Sequence, residues 1–205
     1  MAPTHTRTSM ESTLLSVRLK AQIARTGPIS VERFMDVCMA DATAGYYPSK
    51  QPIGAGGDFI TAPEVSQVFG ELLGLWAYAV WQSMGSPEQV ILAELGPGRG
   101  TLMADALRGL RRLPGFTDSA KVALVETSPP LRQAQEEALA DSGADISWHE
   151  RIEELPPRPI IVVANEFIDA LPIRQLIWRT GQWHERCVRI GPDGGFAFCD
   201  CVPLA

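Results

Sequence analysis

Residues 87–172 alternate short, continuous apolar runs with stripes of apolar residues at helical spacing. The runs predict buried strands at 90–95, 121–125, 144–148 and 160–164, and the stripes predict helices at 101–112 and 129–140. Strands that alternate with helices are typical of a parallel sheet covered on both faces. The sequence therefore predicts a doubly wound α/β core.

Helical patterns precede this core. The apolar residues between 29 and 39 fall on one helical face behind Ser30, a favourable N-cap. A capping box at 61–64 predicts a helix that runs to about residue 84. Gly70 and Gly74 lie four residues apart on that helix, which indicates close packing against another helix.

Three strand-like segments follow the core, at 175–179, 183–190 and 196–202, with glycine-containing turns between them. Such segments predict antiparallel hairpins. We therefore divide the chain into three parts. Residues 1–86 form a helical region that includes a glycine-rich loop, residues 87–172 form the core, and residues 173–205 form the hairpin region.

The composition excludes several classes of protein. The chain has 205 residues, of which 45% are hydrophobic and 20% are charged, and its net charge is -6. Nucleic acid is not an expected partner, because phosphate binding depends on clustered lysines and arginines. Membrane insertion is not expected either, since the longest uncharged run, 72–87, contains glycine and proline and is shorter than the roughly 20 apolar residues of a spanning helix.

Cysteines and histidines form no recognisable framework. The four cysteines, Cys38, Cys187, Cys199 and Cys201, are too few for a disulfide scaffold, so we expect free thiols in a reducing compartment. The histidines are scattered, which disfavours a metal-dependent mechanism. The first twenty residues resemble either a bacterial N-terminus that leads into a helix or an organellar transit peptide. We prefer the bacterial cytoplasm as the location, with the mitochondrial matrix as the alternative.

The first predicted strand leads into its helix through a glycine-rich turn, ELGPGRGT at 94–101. Glycines let the backbone approach a ligand closely, and the helix N-terminus offers unpaired N–H groups. The G-x-G-x-G spacing differs from the G-x-G-x-x-G of dinucleotide-binding proteins. Glu94 would repel a diphosphate, but it suits a ligand with a positive amino group or sulfonium. We therefore predict a small-molecule site; a turn that only packs a strand on a helix is the alternative.

Residues that end the next two strands suit a nucleoside. Glu126 ends the second strand, where a carboxylate can accept both hydroxyls of a ribose. S-Adenosylmethionine has a free ribose and no phosphate, so it fits both Glu94 and Glu126. Trp148 and His149 end the third strand and could flank an adenine ring. The alternatives are a solvated strand-end acid and a tryptophan that packs on the sheet.

Polar residues also follow the fourth strand, in the segment NEFIDALP. Glu166 and Asp169 could clamp a guanidinium by charge-assisted hydrogen bonds, which would orient a nitrogen toward a methyl donor. The alternative is that Asn165 and Asp169 only cap the loop. Asp58 follows two glycines and could meet either the sulfonium end of the cofactor or the guanidinium, while Glu64 is explained by the capping box.

Three segments in this order resemble the MidA-like family of S-adenosylmethionine-dependent methyltransferases: GDFITAPEVSQVFG at 57–70, ELGPGRG at 94–100 and NEFIDALP at 165–172. Mitochondrial members of that family are assembly factors of respiratory complex I that symmetrically dimethylate an arginine of a complex I subunit. The resemblance implies a class I methyltransferase, Rossmann-like fold and protein arginine ω-N-methyltransferase activity. It also implies a protein substrate, expected to be a complex I subunit.

The residues and the resemblance together define one predicted site, near which the loop 57–64 would close. The predicted catalytic residues are Glu166, Asp169 and Asp58; the predicted cofactor-binding residues are Glu94, Gly96, Pro97, Gly98, Gly100, Thr101, Glu126, Thr127, Trp148 and Asn165. Family members usually continue past the last residue of this chain, so we expect the sheet to be incomplete.

Two other functions stay open. A non-catalytic assembly or scaffold protein could retain the methyltransferase fold without turnover. An NAD-dependent oxidoreductase could use the same crevice, although the glycine spacing and Glu94 disfavour it. A homodimer is kept as a further expectation about partners.

Overall fold

The computed structural model describes residues 5–41, 43–46, 62–113 and 115–203. The helices are α1 (His5–Thr26), α2 (Val31–Ala40), α3 (Ala62–Val65), α4 (Gln67–Ser83), α5 (Thr101–Leu110), α6 (Phe116–Ser119) and α7 (Pro129–Leu139), with 3-10 turns at Ile152–Glu154 and Ile168–Ala170. The strands are β1 (Ile29–Ser30), β2 (Val90–Leu95), β3 (Ala120–Val125), β4 (Ile146–His149), β5 (Ile160–Val163), β6 (Leu176–Arg179), β7 (Gln182–Ile190) and β8 (Phe196–Pro203).

Contacts group the described residues into two units. One unit takes its residues from 52–169, and the other takes them from 1–51 and 170–205. This grouping differs from the three segments read along the chain, which stay a prediction about sequence organisation.

The unit drawn from 52–169 contains a parallel sheet in the order β4-β3-β2-β5. Both faces of β2 are covered: Val90 and Leu92 belong to one buried cluster, while Ile91 and Ala93 belong to another. The predicted α/β fold is confirmed. Strands β2 and β3 are largely buried, as continuous apolar runs predict, whereas Ile160 and Val162 of β5 are exposed. Strands β3 and β4 follow β2 on one side of it in the sheet, and the chain then crosses over to add β5 on the other side of β2. The carboxyl ends of β2 and β5 therefore form a topological switch point, where doubly wound folds bind ligands.

Helices α4 and α5 pack closely because glycines line their contact. A Cβ atom added at Gly70 would lie 2.5 Å from the Cβ of Asp105, and one added at Gly74 would overlap the backbone of Ala106. The predicted role of these glycines in close helix packing is therefore confirmed. The contact holds α5, and with it the glycine-rich turn, against the sheet.

The predicted single helix from 61 to about 84 is wrong at its start. The chain forms α3, breaks at Ser66, and begins again with α4. Ser66 is extended and its hydroxyl accepts a hydrogen bond from the backbone N–H of Val68, so it acts as a second N-cap. Thr61 lies outside the described residues, and the capping box stays a prediction.

The second unit combines α1 and α2 with an antiparallel sheet. Strand β7 is central and pairs with β6 and β8, as the hairpin prediction expected. It also pairs with β1, which was not predicted. Ser30 caps α2 by accepting from the backbone N–H of Arg33, which confirms that N-cap. Helix α1 spans 22 residues and buries Leu15, Leu19 and Ile23.

The expectation of free thiols is wrong for one pair of cysteines. Cys187 on β7 and Cys201 on β8 form a disulfide, with their Cα atoms 5.8 Å apart. Cys38 and Cys199 are free. The strand register places Cys199 directly opposite Cys187, so the disulfide joins Cys187 to the cysteine two residues further along β8. Across the described part of the chain, every helix is too short or too polar to span a membrane.

Candidate functional site

The glycine-rich turn adopts a backbone that favours glycine at three positions. Gly96, Gly98 and Gly100 have φ values of 62°, 55° and 82°, which lie in the left-handed region that other residues rarely adopt. The backbone N–H of Gly100 donates to the carbonyl of Pro97 over 2.8 Å, which closes a tight turn. Gly100 is also the N-cap of α5 and has no side chain to cap the helix. The first N–H groups of α5 therefore have no partner within the helix and can meet a ligand.

The loop after β5 packs directly on this turn. A Cβ atom added at Gly96 would overlap the ring of Phe167. Gly96 is thus needed both for its φ value and for the close approach of an aromatic ring. Phe167 lies in the segment 165–172 that was singled out from the sequence, but it was given no role there, because an apolar side chain carries no chemistry of its own.

Glu94 is a buried acid two residues before the turn. Only 3% of its surface is exposed, and burial raises its pKa from 4.5 to about 8. Its Oε2 atom has no hydrogen-bond partner among the described residues. A buried, unsatisfied carboxyl group is costly, and an adjacent cation would stabilise its charged form. Glu94 therefore fits a ligand with a positively charged group.

Glu126 follows β3 and is held in one orientation. Its Oε1 atom accepts from the backbone N–H groups of Thr127 and Ser128, over 2.9 and 2.8 Å. Its main-chain carbonyl accepts from Nε and Nη2 of Arg132 on α7. The carboxylate is half-buried, so part of it can still accept hydrogen bonds from a ribose.

Gln135 connects three strand ends and was missed by the sequence analysis. It is fully buried on α7, and its amide contacts the glycine turn, Glu126 and Trp148. The sequence signal that could have identified Gln135 is a polar residue on the apolar face of a helix, four residues before Leu139.

The two residues predicted to flank an adenine ring lie at the end of β4. Trp148 packs partly on the core, and the Nε2 atom of His149 lies 3.0 Å from the hydroxyl of Ser147.

The candidate substrate-binding acids lie after β5. Glu166 and Asp169 are exposed, and Asn165 is half-buried. Glu166 has a φ value of 46°, a strained conformation for a residue with a side chain. Across residues 62–113 and 115–203, no hydrogen bond or ion pair to either carboxylate is found. Both are thus free to bind a cationic group.

The remaining predicted residues are only partly placed. Asp58 lies outside the described residues. The hydroxyl of Thr101, the first residue of α5, donates to Oε1 of Glu64 over 3.2 Å. Glu64 therefore links α3 to the glycine turn, a contact that sequence analysis did not predict. No group of three or more metal-binding side chains occurs in the part of the chain that the structure describes.

The fold is a Rossmann-like domain in which a buried acid without a hydrogen-bond partner among the described residues precedes a turn of left-handed glycines. A family model described as "Putative S-adenosyl-L-methionine-dependent methyltransferase" matches residues 72–205. The chain belongs to this family. The predictions of a methyltransferase family and of S-adenosylmethionine as its cofactor are confirmed.

Named relatives and solved structures agree with this assignment. The mitochondrial "protein arginine methyltransferase NDUFAF7 homolog" of Drosophila melanogaster is 38% identical over 203 residues, which is 88% of this chain and 46% of that protein. The NDUFAF7 protein of Danio rerio is 39% identical, over 85% of this chain and 46% of that protein. A crystal structure of a COG1565 superfamily member from Burkholderia thailandensis, bound to S-adenosyl-homocysteine, is 31% identical and has a TM-score of 0.80 over 100% of this chain and 54% of that chain. The chain thus spans about half the length of the relatives it matches.

Proposed function

We propose that this chain binds S-adenosylmethionine across the carboxyl ends of β2, β3 and β5, and that the protein transfers its methyl group to an arginine ω-nitrogen of a protein substrate. One observation carries the cofactor assignment: a buried acid without a hydrogen-bond partner and an oriented acid, Glu94 and Glu126, end neighbouring parallel strands beside a turn of left-handed glycines. The names of the relatives, protein arginine methyltransferases, support the choice of substrate.

Each cofactor group has a residue suited to it. Glu126 accepts hydrogen bonds from the ribose hydroxyls, because two backbone N–H groups already hold its carboxylate in place. Glu94 faces the positively charged amino-acid end, which relieves its burial. The turn around Gly96, Gly98 and Gly100, with Pro97 and Thr101, keeps side chains away from the cofactor. Thr127, Trp148 and Asn165 complete the predicted cofactor-binding set. When bound, S-adenosylmethionine supplies an electrophilic methyl group on a sulfonium.

The substrate side uses exposed acids. Glu166 and Asp169, together with Asp58, hold the guanidinium and orient one nitrogen. An arginine is protonated at neutral pH. The nitrogen that gains the methyl group must therefore lose a proton, which one of these carboxylates accepts. The absence of another partner for Glu166 and Asp169 among residues 62–113 and 115–203 supports this role.

We further propose that the product is symmetrically dimethylated arginine and that the substrate is a subunit of respiratory complex I. Both proposals rest on the resemblance of the three motifs to the MidA-like family. We place the reaction in a bacterial cytoplasm, which is supported by a structural neighbour from a bacterium. The alternative is the mitochondrial matrix, which is supported by relatives named as mitochondrial.

Isothermal titration with S-adenosylhomocysteine tests the cofactor site. Glu126→Ala removes the acceptor for the ribose, and we expect the affinity to fall at least about tenfold, as for a lost hydrogen bond to a charged group. Glu137→Ala is the matched control, because Glu137 is an exposed acid on α7 that contacts Gln133. Equal affinity of Glu126→Ala and the wild type would contradict the ribose assignment.

Transfer of labelled methyl groups to peptides tests the substrate class. We expect label on an arginine-containing peptide and none on the same peptide with lysine in its place. Mass spectrometry then distinguishes mono-methylated from symmetrically dimethylated arginine. Cofactor binding without labelling of any arginine peptide or lysate protein would instead favour a scaffold role.

A further inference from the structure

We propose that Gln135 is a positioning residue that fixes the cofactor site by tying together the ends of β2, β3 and β4. This inference rests on the proposed cofactor site but adds a residue that does not touch the reacting atoms. The evidence is a set of three contacts made by one fully buried amide.

The three contacts reach three different parts of the site. Nε2 of Gln135 donates to the carbonyl of Gly98 over 2.7 Å and lies 3.4 Å from Oε2 of Glu126. Oε1 accepts from Nε1 of Trp148 over 2.9 Å. The amide thus joins the glycine turn, the predicted ribose acid and the predicted adenine-flanking ring.

The orientation of this amide follows from the chemistry of its partners. An indole N–H can only donate, and a carbonyl oxygen can only accept. A flipped amide would place two donors together at Trp148 and two acceptors together at Gly98. One orientation alone satisfies both partners, so the amide cannot exchange its two ends without losing both hydrogen bonds.

Helix α7 is built to bring this amide to the site. A Cβ atom added at Gly100 would lie 3.3 Å from Cα of Gln135, so the missing side chain of Gly100 lets the helix approach the turn. Arg132, three residues earlier on the same helix, donates to the carbonyl of Glu126. One face of α7 therefore holds the glycine turn and the acid at the same time.

Contacts to both oxygens hold the carboxylate of Glu126 in the orientation proposed for binding a ribose diol. Two backbone N–H groups hold its Oε1 atom, and Gln135 approaches its Oε2 atom. The carboxylate is restrained on both oxygens, which lowers the entropy lost when it binds a diol. A cavity at Gln135 or a charge there would leave the acid present but loosely held.

Two substitutions of Gln135 test this role by S-adenosylhomocysteine titration on the full chain. Gln135→Glu preserves the shape and replaces the donating group by an oxygen. At pH 8.5 the new carboxylate would lie next to the carboxylate of Glu126 and the carbonyl of Gly98, and these groups would repel it. The cation nearby is Arg132, which donates to the main-chain carbonyl of Glu126. We expect the affinity relative to wild type to fall at least about tenfold.

The pH dependence separates positioning from a purely structural role. Burial and the neighbouring Glu126 raise the pKa of a carboxyl group at this position, so we expect protonation on lowering the pH to 6 to restore a hydrogen-bond donor. We expect the deficit relative to wild type, measured at the same pH, to shrink to within about threefold. Taking the ratio at each pH removes the titration of Glu94, which all variants share.

Gln135→Met is the second variant, because methionine has similar length and fills irregular spaces in a core. It cannot hydrogen-bond, so we expect a loss of at least about tenfold in affinity at both pH values. Gln133→Met is the matched control on the exposed side of α7 and should bind as the wild type does.

Wild-type affinity in Gln135→Met, or a deficit in Gln135→Glu that does not change with pH, would overturn the positioning role. If the wild-type chain itself bound no S-adenosylhomocysteine, the proposed function would fail first, and this inference with it.

Discussion

Glu94→Gln should remove a pH dependence of stability that the buried carboxyl group creates. In the folded, ligand-free protein, burial raises the pKa of Glu94 from 4.5 to about 8, because the charged form is not solvated. The folded state therefore holds a proton on Glu94 between these values, while the unfolded state has lost it. The stabilising contribution is fully present below about pH 4.5 and is lost as the pH rises through about 8.

The size of the effect follows from the shift in pKa. A shift in pKa from 4.5 to about 8 corresponds to a change of about 5 kcal/mol in the free energy of unfolding, at about 1.4 kcal/mol per pKa unit. This value is an upper limit, because water that reaches the carboxyl group reduces the shift. A marginally stable domain would register even half of this value. Glutamine keeps the shape and stays neutral, so the variant should be more stable than the wild type at pH 8.5 and similar to it at pH 5.

Urea denaturation of the ligand-free protein at pH 5, 7 and 8.5 measures this difference. Glu137→Gln is the control, since it neutralises an exposed acid on α7. Parallel free energies of unfolding for wild type and Glu94→Gln across this pH range would refute the raised pKa of Glu94. Such a result would mean that Glu94 is already ionised and paired in the ligand-free protein.

The same acid gives a signature on binding. A cationic group placed beside Glu94 lowers its pKa, so cofactor binding near pH 7 should release up to one proton. Titration calorimetry in buffers of different ionisation enthalpy measures that release. Glu94→Gln should abolish it, whereas an unchanged proton release would remove Glu94 from the cofactor site.

Two further substitutions test the packing around the site and the stability of the second unit. Gly96→Ala places a side chain at a left-handed φ value and makes it overlap Phe167, so the affinity for S-adenosylhomocysteine should fall more than tenfold. Adding Phe167→Ala to the same chain should restore part of that affinity in calorimetry, and no rescue would count against the overlap. Cys187→Ser opens the disulfide to Cys201, a separation of 14 residues, and should lower the free energy of unfolding by about 3 kcal/mol in the chain-entropy account; an unchanged urea midpoint would disprove that contribution.

The sequence was most informative where one interaction determines the structure. Strand β2 has the predicted bounds, and β3 and β5 lie within one residue of theirs, because short apolar runs are typical of strands in a parallel sheet. The glycine turn was also predicted, since three alternate positions of one short loop have left-handed φ values, which glycine adopts without strain.

The sequence was least informative where the structure depends on neighbours in space. The break at Ser66 interrupts a continuous apolar stripe, so no periodicity could show it. The pairing of Cys187 with Cys201 depends on the register of β7 and β8. The roles of Gln135 and Phe167 depend on contacts 37 and 71 residues away along the chain, which one sequence does not encode locally.

The two sides of the site differ in how firmly their acids are held, and this difference suits the proposed reaction. Glu94 is buried within β2, and Glu126 is fixed by backbone N–H groups, so the cofactor meets a rigid and prearranged surface. Glu166 and Asp169 lie exposed on the loop after β5, where Glu166 has a left-handed φ value. A cofactor common to every turnover gains from rigidity, because less entropy is lost on binding. A guanidinium presented by a large protein substrate must be bound at an accessible edge, so exposure of Glu166 and Asp169 is compatible with the role proposed for them.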